Sequence, residues 1–476
     1  MVKKNFYKLV ISIFCALFFI SNLSTFACAS EIPPIEPLDK TDHILIISPH
    51  PDDDIIGCAG VIQRALQAGA KVKVVYITCG DNNIFSVFLY SDLLSIIFNN
   101  KMLYLAELIL SWKERFINLG HTRMQEAISA EKMLGLEEKD LLFLGYPDHG
   151  TDQMFVFSWD RTNPYHGSLG GNSFVPYEKG IGSSKGFTAE NLMDDLKGII
   201  SDFKPTKIFV AHPSDANGDH WASYLYTLAS LSDLGDTVPR PKVYPYLVHV
   251  PDWPLPRNYH PGLAITPPEK FFGDILPLVD WHQLKLTPQE IEKKHEAMLQ
   301  HQSQTRVSAF YLLAFVRQNE LFGDFPYIVL KKQLSSELSG EDIFTADMQW
   351  FGYAVVDDSL WIRVPQPKEL ERGIDLHFII DGFRDDVPFA KMPSILVDVE
   401  NNKFRIFNAT ENRYIYPEDA SLEVYQEWII FKIPLDVLGN PQGLLFGPET
   451  NADYMPEGCT AFRVIKIEEA RAEEKP

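Results

Sequence analysis

Short apolar runs alternate with helical patterns over roughly the first two thirds of the chain. Apolar and β-branched residues dominate five runs of strand length, at 43–47, 71–78, 141–144, 207–211 and 243–250. Between these runs, apolar residues recur at helical spacing over 55–68, 121–134, 188–203 and 221–231. Strands that alternate with helices predict an α/β fold with a Rossmann-like, mostly parallel sheet flanked by helices. We expect this domain to span residues 30–330, with a further helix that begins at a Thr287 capping box and ends near residue 304.

The pattern changes near residue 334. Short alternating segments separated by turns then predict strands, at 350–356, 360–364, 376–380, 395–399, 404–407, 428–433 and 461–467. Evenly spaced short strands are typical of a β-sandwich. The sequence therefore predicts a C-terminal all-β, sandwich-like domain over residues 335–476. This part contains no catalytic constellation, so we expect an accessory domain that either binds carbohydrate or packs against the first domain.

The first 29 residues have the organisation of a secretory signal peptide. Lysines at positions 3, 4 and 8 precede an apolar run over 9–20, and Ala27-Cys28-Ala29 supplies small residues for cleavage. The apolar run is too short for a membrane span. Cys28 also allows a lipoprotein interpretation, although Thr25-Phe26-Ala27 is a poor context for lipidation. We expect an exported protein that is periplasmic, secreted or associated with the cell envelope.

Residues 82–117 form an apolar insertion. Asp92, Lys101 and Glu107 interrupt it, so neither of its apolar runs is long enough to favour a second transmembrane helix. The segment predicts a pair of amphipathic helices over the site. They are either extra core helices or a membrane-surface element, through residues 84–112, that admits a lipid-linked substrate.

Composition limits the range of partners. The chain has 476 residues and a formal net charge of −21, which argues against a nucleic-acid partner. Cys58 and Cys79 flank predicted sheet segments and are expected in the core, and no CxxC motif indicates a cysteine zinc site. Residues 150–187 form a predicted long loop rich in Gly, Ser, Asn and aromatic residues. Such a loop suits sugar rings, or is a surface insertion.

Two clusters of His and Asp follow predicted strands. Ser48-Pro49-His50-Pro51-Asp52-Asp53-Asp54 comes after the first strand, and residues 212–220 (HPSDANGDH) come after the fourth. Because parallel strands end at one edge of a sheet, both clusters are expected there. Imidazole and carboxylate groups can bind a divalent metal and leave one carboxylate as a base. A strand-to-helix turn with a capping Asp is the simpler alternative, but it does not require three adjacent acids.

Five motifs together resemble one known family. PHPDDD, KVKVVYITCGD, an R-x-x-E helix, GYPDHG and HPSDANGDH, spread over residues 42–305, are similar to those of PIG-L/LmbE-like zinc-dependent N-acetylglucosaminyl deacetylases. The resemblance implies that His50, Asp53 and His220 bind zinc. It implies that Asp52 is the general base for a metal-bound water that attacks the acetamide. It also implies that Arg123 and Asp148 bind the substrate.

The chain departs from this family pattern at two positions. Asp54 stands where the family usually has Glu, and Asn217 stands where it often has a His that polarises the carbonyl. Asn217 can still donate a hydrogen bond but cannot hold a proton, so His249 is a further candidate for contact with the substrate. Asp219 is expected to orient either a histidine of the metal site or the surroundings of the base.

The expected substrate is an N-acetylated amino sugar, a glycan or a glycolipid. Zinc is the expected cofactor, although His and Asp ligands also accept other divalent metals. Two alternatives stay open. The protein is either a noncatalytic glycan-binding envelope protein, or a metal hydrolase that acts on another amide or ester.

Overall fold

The computed structural model describes residues 32–90, 112–167, 170–268, 279–324, 352–365, 375–400, 403–425, 428–452, 455–456 and 463–467. The predicted signal peptide and residues 91–111 of the apolar insertion lie outside this set. In the part of the chain that is described, no helix is long and apolar enough to cross a membrane. All elements described below belong to one compact unit, Ile35–Pro476.

The first domain is built on a seven-stranded sheet with the strand order β3-β2-β1-β4-β5-β7-β6. The first five strands in that order are parallel, and β7 and β6 join them in antiparallel orientation. The predicted mostly parallel sheet is confirmed. The strand bounds are β1 His43–Ser48, β2 Lys71–Thr78, β3 Leu141–Tyr146, β4 Lys207–Ala211, β5 Lys242–Tyr246, β6 Asp280–Lys285 and β7 Asn319–Asp324.

Helices connect and cover these strands. Their bounds are α1 Asp53–Ala68, α2 Ile84–Tyr90, α3 Trp112–Leu134, α4 Thr151–Phe157, α5 Ala189–Phe203, α6 Gly218–Leu234, α7 Pro288–Met298 and α8 Gln302–Leu312. Side chains fix several helix starts, as the sequence predicts. Thr188 caps α5 by accepting the N–H of Asn191, and Thr287 forms a capping box with Glu290 at the start of α7.

Several sequence-based boundaries are wrong. The predicted loop over 150–187 contains α4, a helix of seven residues whose N-cap, Gly150, has no side chain to indicate it. The predicted strand over 243–250 ends at Tyr246. β6 lies between the predicted strand at 243–250 and Thr287, where the sequence predicts no strand. The helix expected to continue to residue 304 divides into α7 and α8 before Gln302.

The C-terminal region folds as two antiparallel sheets, which confirms the predicted β domain. One sheet has the order β13-β12-β11-β10-β16-β17, with β18 also paired to β16, and the other has the order β14-β15-β9-β8. Side chains from both sheets share one core that includes Phe378, Phe431 and Phe446. The bounds are β8 Gly352–Val356, β9 Ser359–Pro365, β10 Asp375–Phe383, β11 Ser394–Glu400, β12 Lys403–Asn408, β13 Arg413–Ile415, β14 Ser421–Val424, β15 Trp428–Pro434, β16 Gly443–Ala452, β17 Met455–Pro456 and β18 Arg463–Lys466.

The β domain packs against the α4–α6 side of the first domain. The backbone N–H of Phe389 donates to Asp233 at the end of α6, at 2.9 Å. The ring of Phe389 lies 5.5 Å from that of Trp159 between centroids, and Phe157 and Phe407 make a second aromatic contact at 6.3 Å. The two domains therefore contact each other through both polar and aromatic groups.

A buried ion pair joins α7 and β7 to the middle of α1. Lys294 Nζ lies 2.8 Å from Glu320 Oε1 and also donates to the carbonyl of Ile56. Glu320 in turn accepts the backbone N–H groups of Gly60 and Val61. Because a buried charge is costly unless it is paired, these contacts fix the position of α1 behind the edge of the sheet.

Candidate metal centre

The candidate site lies where the strand order of the sheet reverses. The chain runs outward from β1 through β2 to β3, and then returns to place β4 on the other side of β1. A crevice forms at the carboxyl ends of strands at such a point. His50 follows β1, and Asp53 begins α1. His220 lies in the first turn of α6, which follows β4.

Three donor atoms form a tight triangle there. Asp53 Oδ2 lies 3.0 Å from His50 Nδ1 and 3.1 Å from His220 Nε2, and the two imidazole nitrogens are 3.2 Å apart. Tetrahedral zinc with ligand distances of about 2.0–2.1 Å separates its donors by roughly 3.3 Å. The triangle therefore fits one face of a tetrahedron around a divalent ion, and its three residues are buried.

Two carboxylates hold the opposite side of the His50 ring. Its Nε2 lies 3.1 Å from Asp148 and 3.2 Å from Asp219. Asp219 is itself fixed, because it accepts the backbone N–H groups of residues 149, 150 and 151 and the hydroxyl of Thr151. A carboxylate next to one ring nitrogen of a histidine keeps the proton on that nitrogen, which here is Nε2. Nδ1 is then left to bind metal.

His220 has the same arrangement. Its Nδ1 lies 3.1 Å from Asp215 Oδ2, while Nε2 faces the triangle. The Asp215 carboxylate accepts the backbone N–H groups of Val248 and His249, both at 2.9 Å. The sequence analysis does not assign Asp215 to the site. The signal that could have identified it is its position five residues before His220, in the same strand-to-helix turn.

The electrostatics of the triangle favour a cation. Burial lowers the pKa of His220, but the carboxylates of Asp215 and Asp53 outweigh burial and raise it to about 9. The pKa of His50 is also raised, because Asp148 and Asp219 outweigh its burial. Burial raises the pKa of Asp53, but the two imidazoles have the larger opposite effect and lower it. The surrounding carboxylates therefore favour a positive charge at this buried position.

Asp52 lies beside the triangle and is paired with Arg123. Its Oδ1 accepts from Arg123 Nη2 at 2.9 Å, and Arg123 Nη1 donates to the carbonyl of Gly80. Both side chains are buried. Among the residues that the structure describes, no hydrogen bond is made to Asp52 Oδ2. One oxygen of this carboxylate is therefore held, and the other is available to accept a proton.

Comparison with known proteins agrees with this geometry. Residues 45–230 match the family model PIG-L, described as GlcNAc-PI de-N-acetylase. The matched range contains the donor triangle and Asp52. These residues form a PIG-L domain.

A curated deacetylase is similar to this chain over much of its length. It is the 1D-myo-inositol 2-acetamido-2-deoxy-alpha-D-glucopyranoside deacetylase of Kribbella flavida, 23% identical over 323 residues, which cover 60% of this chain and 91% of the relative.

Two solved structures are also similar. The N,N'-diacetylchitobiose deacetylase of Pyrococcus horikoshii is 17% identical with a TM-score of 0.34, over 60% of this chain and 84% of that one. A conserved protein of Thermus thermophilus is 18% identical with a TM-score of 0.33, over 58% of this chain and 84% of that one.

Asn217 has a structural role in the PIG-L domain. It is the N-cap of α6, where its Oδ1 accepts the backbone N–H of Asp219 at 2.9 Å. Its amide nitrogen is the part of the side chain that remains for other contacts. The cap fixes the first turn of α6, and with it the ring of His220.

His249 lies next to the triangle, after β5. Its ring is 4.6 Å from that of His220 between centroids and stacks on Tyr311 at 5.9 Å. The hydroxyl of Tyr311 donates to the carbonyl of Val248. Burial and the neighbouring His220 lower the pKa of His249 to about 4, so its imidazole is neutral at pH 7. Tyr311 is a further residue that the sequence analysis does not assign to the site.

Two further carboxylates, one after β1 and one after β2, accept the hydroxyl groups of buried tyrosines. Asp54 is fully buried, and it accepts the hydroxyl of Tyr76 at 2.6 Å. Asp81, after β2, accepts the hydroxyl of Tyr177 at 2.7 Å, and burial together with Asp148 raises its pKa to about 7. Cys58 and Cys79 are buried free thiols, as expected for core residues.

Proposed function

We propose that this protein is a metal-dependent deacetylase that hydrolyses the acetamide of an N-acetylated amino sugar or of its conjugate. The observation on which the proposal depends is the triangle of His50, Asp53 and His220 beside the carboxylate of Asp52. The PIG-L match and the name of the curated relative, a deacetylase of an acetamido sugar, support this substrate class.

Two imidazoles and one carboxylate are the donor set of a catalytic zinc site with an open position. A divalent ion in such a site acts as a Lewis acid and lowers the pKa of a water ligand. Asp148, Asp219 and Asp215 orient the two imidazoles by contacts with their far nitrogens. Zinc is the proposed ion, and other divalent ions with a preference for nitrogen and oxygen donors also fit.

Asp52 is the proposed general base. Arg123 holds Oδ1 of its carboxylate, and Oδ2 accepts the proton of the attacking water. The same group then returns the proton to the amine as acetate leaves. Arg123 thus has a second proposed role in positioning the base, in addition to the predicted contact with substrate.

The proposed substrate contacts surround the donor triangle. The neutral imidazole of His249 can donate a hydrogen bond to the acetamide oxygen, where Asn217 has replaced a histidine of the family pattern. The amide nitrogen of Asn217 is a second donor. Arg123 and Asp148 stay the proposed contacts for the hydroxyl groups of the sugar, although both are buried and already bonded to other groups of the site.

Export of the enzyme is part of the proposal. It is supported by the charged and apolar N-terminal segment that ends in Ala27-Cys28-Ala29. The proposed place of action is the cell envelope or the exterior. Contact of residues 84–112 with a membrane surface is proposed from the apolar sequence and from Phe85, whose side chain is 72% exposed on α2.

Acetate release tests the proposed reaction. The purified chain is incubated with N,N'-diacetylchitobiose, with an N-acetylglucosamine–inositol conjugate and with an N-acetylglucosaminyl glycolipid. We expect acetate from at least one of them, loss of release with a chelator, recovery with zinc and no release by Asp52→Ala. If no acetate forms while the glycans bind tightly, the protein is a glycan-binding protein instead. Release of acid from unrelated amides or esters alone would also overturn the proposal.

A further inference from the structure

An aromatic strip crosses from the first domain to the edge of the β domain. Phe157, at the end of α4, has a side chain that is 46% exposed, and it contacts Phe407 of β12. Phe407 pairs across the strands with Tyr414 of β13, and their rings are 5.3 Å apart. Tyr416 follows two residues later and is 82% exposed.

The rings of Phe407 and Tyr414 lie on one face of the sheet. Alternation along a strand places Phe407 and Tyr414 opposite to Phe404 and Ile415, whose side chains pack against the core of the β domain. The same outer face includes Ile379 and Leu396, which are buried. The central part of the face is therefore covered, and its aromatic edge at β12 and β13 extends into solvent.

Hydrogen-bonding groups accompany the rings. The guanidinium of Arg405 lies 5.8 Å from the centre of the Tyr414 ring and 3.5 Å from Asp398. Asp398 also contacts His377, with 2.7 Å between Oδ1 and Nδ1. Aromatic rings can bind the apolar C–H surface of a sugar ring, and the charged groups on adjacent strands can hydrogen-bond its hydroxyl groups.

The size of the strip argues against a stable protein partner. With about 200 Å² for each aromatic side chain, the exposed parts of Phe157, Tyr414 and Tyr416 amount to roughly 350 Å². A stable protein interface buries about 800 Å² on each partner. An exposed patch of a few hundred Å² is the size of the largest apolar patch on a typical monomeric protein, and such a patch is often functional.

The strip is also continuous with the catalytic domain. Phe157 ends α4, and Thr151 at the start of the same helix donates to Asp219, which holds the metal ligand His50. A helix of seven residues is about 10 Å long. A polymer bound along the strip therefore lies one short helix away from the candidate metal centre.

We propose that Tyr414 and Tyr416, with Phe407, Phe157 and Arg405, form a binding site for a polysaccharide chain. The ligand is a polymer of pyranose sugars, and its N-acetylated units are the substrate class proposed above. The β domain thus holds the polymer while one of its units occupies the crevice. Binding by this site does not require hydrolysis, so it can be tested on a chain that cannot catalyse.

The test measures depletion of the Asp52→Ala chain from solution by insoluble chitin and by cellulose. We expect binding to chitin, with a dissociation constant at least tenfold weaker after Tyr414→Ala/Tyr416→Ala and weaker also after Tyr416→Ala alone. Tyr425→Ala is the matched control, because Tyr425 is also exposed (49%) but follows β14 of the other sheet. The control should bind as the parent does.

A second measurement separates this site from the reaction. In the otherwise unaltered enzyme, Tyr414→Ala/Tyr416→Ala should leave acetate release from N,N'-diacetylchitobiose within twofold and reduce release from chitin at least tenfold. Equal chitin binding by the parent and the double variant overturns the site, as does no binding of either polymer by the parent. A dimer that becomes monomeric on Tyr416→Ala, with polymer binding unchanged, identifies the strip as a contact between copies instead.

Discussion

The Nε2 atom of His220 lies 3.2 Å from Nδ1 of His50, although 170 positions separate the two residues in the chain. They come from opposite sides of the point where the strand order reverses, and Asp53 completes the triangle between them. Each imidazole has a carboxylate at its far nitrogen. This paired arrangement leads to separate predictions for the ligands, for the residues behind them and for the base.

Removal of one donor side chain should strongly weaken metal binding. We expect His220→Ala to weaken zinc binding by more than about 100-fold, measured by calorimetry on the metal-free chain, because two donors no longer define a tetrahedral face. His295→Ala is the control, since His295 stacks on Tyr259 and is not one of the three residues of the triangle. Zinc affinity that survives His220→Ala would place the metal elsewhere.

Asp219→Asn should weaken metal binding without removing a metal ligand. A carboxylate behind a metal-bound histidine contributes about 10- to 100-fold in affinity, so we expect a loss in this range. Asp152→Asn is the matched control, because Asp152 lies in the adjacent α4 and forms neither imidazole contact. If both variants lose the same metal affinity, the loss comes from the removal of a negative charge near the site and not from the orientation of His50.

Asp52→Asn should separate catalysis from metal binding. General base catalysis contributes about 10²- to 10⁴-fold, so we expect kcat for acetate release to fall by such a factor. The zinc content of the purified variant, measured by mass spectrometry, should equal that of the parent because Asp52 is outside the triangle. If zinc is lost together with activity, Asp52 is a ligand rather than the base.

The buried pair of Lys294 and Glu320 predicts a stability effect. Lys294→Met leaves a buried carboxylate without its cation, and we expect a loss of about 3–5 kcal/mol in the free energy of unfolding. Lys294→Met/Glu320→Gln should recover part of it, because the amide still accepts a backbone N–H of α1. Urea unfolding measures both. In comparison, Arg64→Met breaks a partly exposed pair with Glu290 and should cost no more than about 1 kcal/mol.

Asp381 predicts a dependence of stability on pH. Burial raises its pKa to about 7, and Ser394 on the adjacent strand opposes only part of this shift. The folded protein therefore binds this proton more tightly than the unfolded chain, so the carboxyl group costs stability progressively as pH rises from about 4 to 7. Asp381→Asn should remove a cost of up to about 4 kcal/mol.

Urea unfolding at pH 5 and pH 8 measures that effect. The advantage of Asp381→Asn over the parent should be greater at pH 8 by about 2 kcal/mol or more. Asp385→Asn, at an exposed position just beyond the same strand, provides the comparison. An advantage that is equal at both pH values would show that the Asp381 carboxyl group does not titrate in this window.

The sequence predicts the elements that hold the metal centre better than those around it. β2 and β4 have the predicted bounds because, apart from Lys71, Lys73 and Lys207, they consist of apolar and β-branched residues that are buried in a parallel sheet. β6 is not predicted, since it is a short, mostly polar strand (DWHQLK) at the end of the strand order, next to β7. β16 contains Gly447 and Pro448, which are unfavourable in strands, yet it pairs with β10.

The same limit applies to the site. The resemblance locates the candidate ligands because their types and spacing form a motif. The residues that orient them, such as Asp215 behind His220 and Tyr311 under His249, depend on side-chain directions at the ends of separate elements. A sequence pattern does not encode those directions. Arg123 illustrates this, because only the folded chain shows it bonded to Asp52.

The strand order of the sheet also has a consequence for biosynthesis. The ribosome completes β1, β2 and β3 before it makes β4, which must then pair beside β1. A nascent chain that ends before α6 has His50 and Asp53 but lacks the third donor. Its affinity for a divalent ion is therefore low until the central strands have assembled. An ion bound by the proposed centre would therefore stabilise a sheet whose central strands have already assembled.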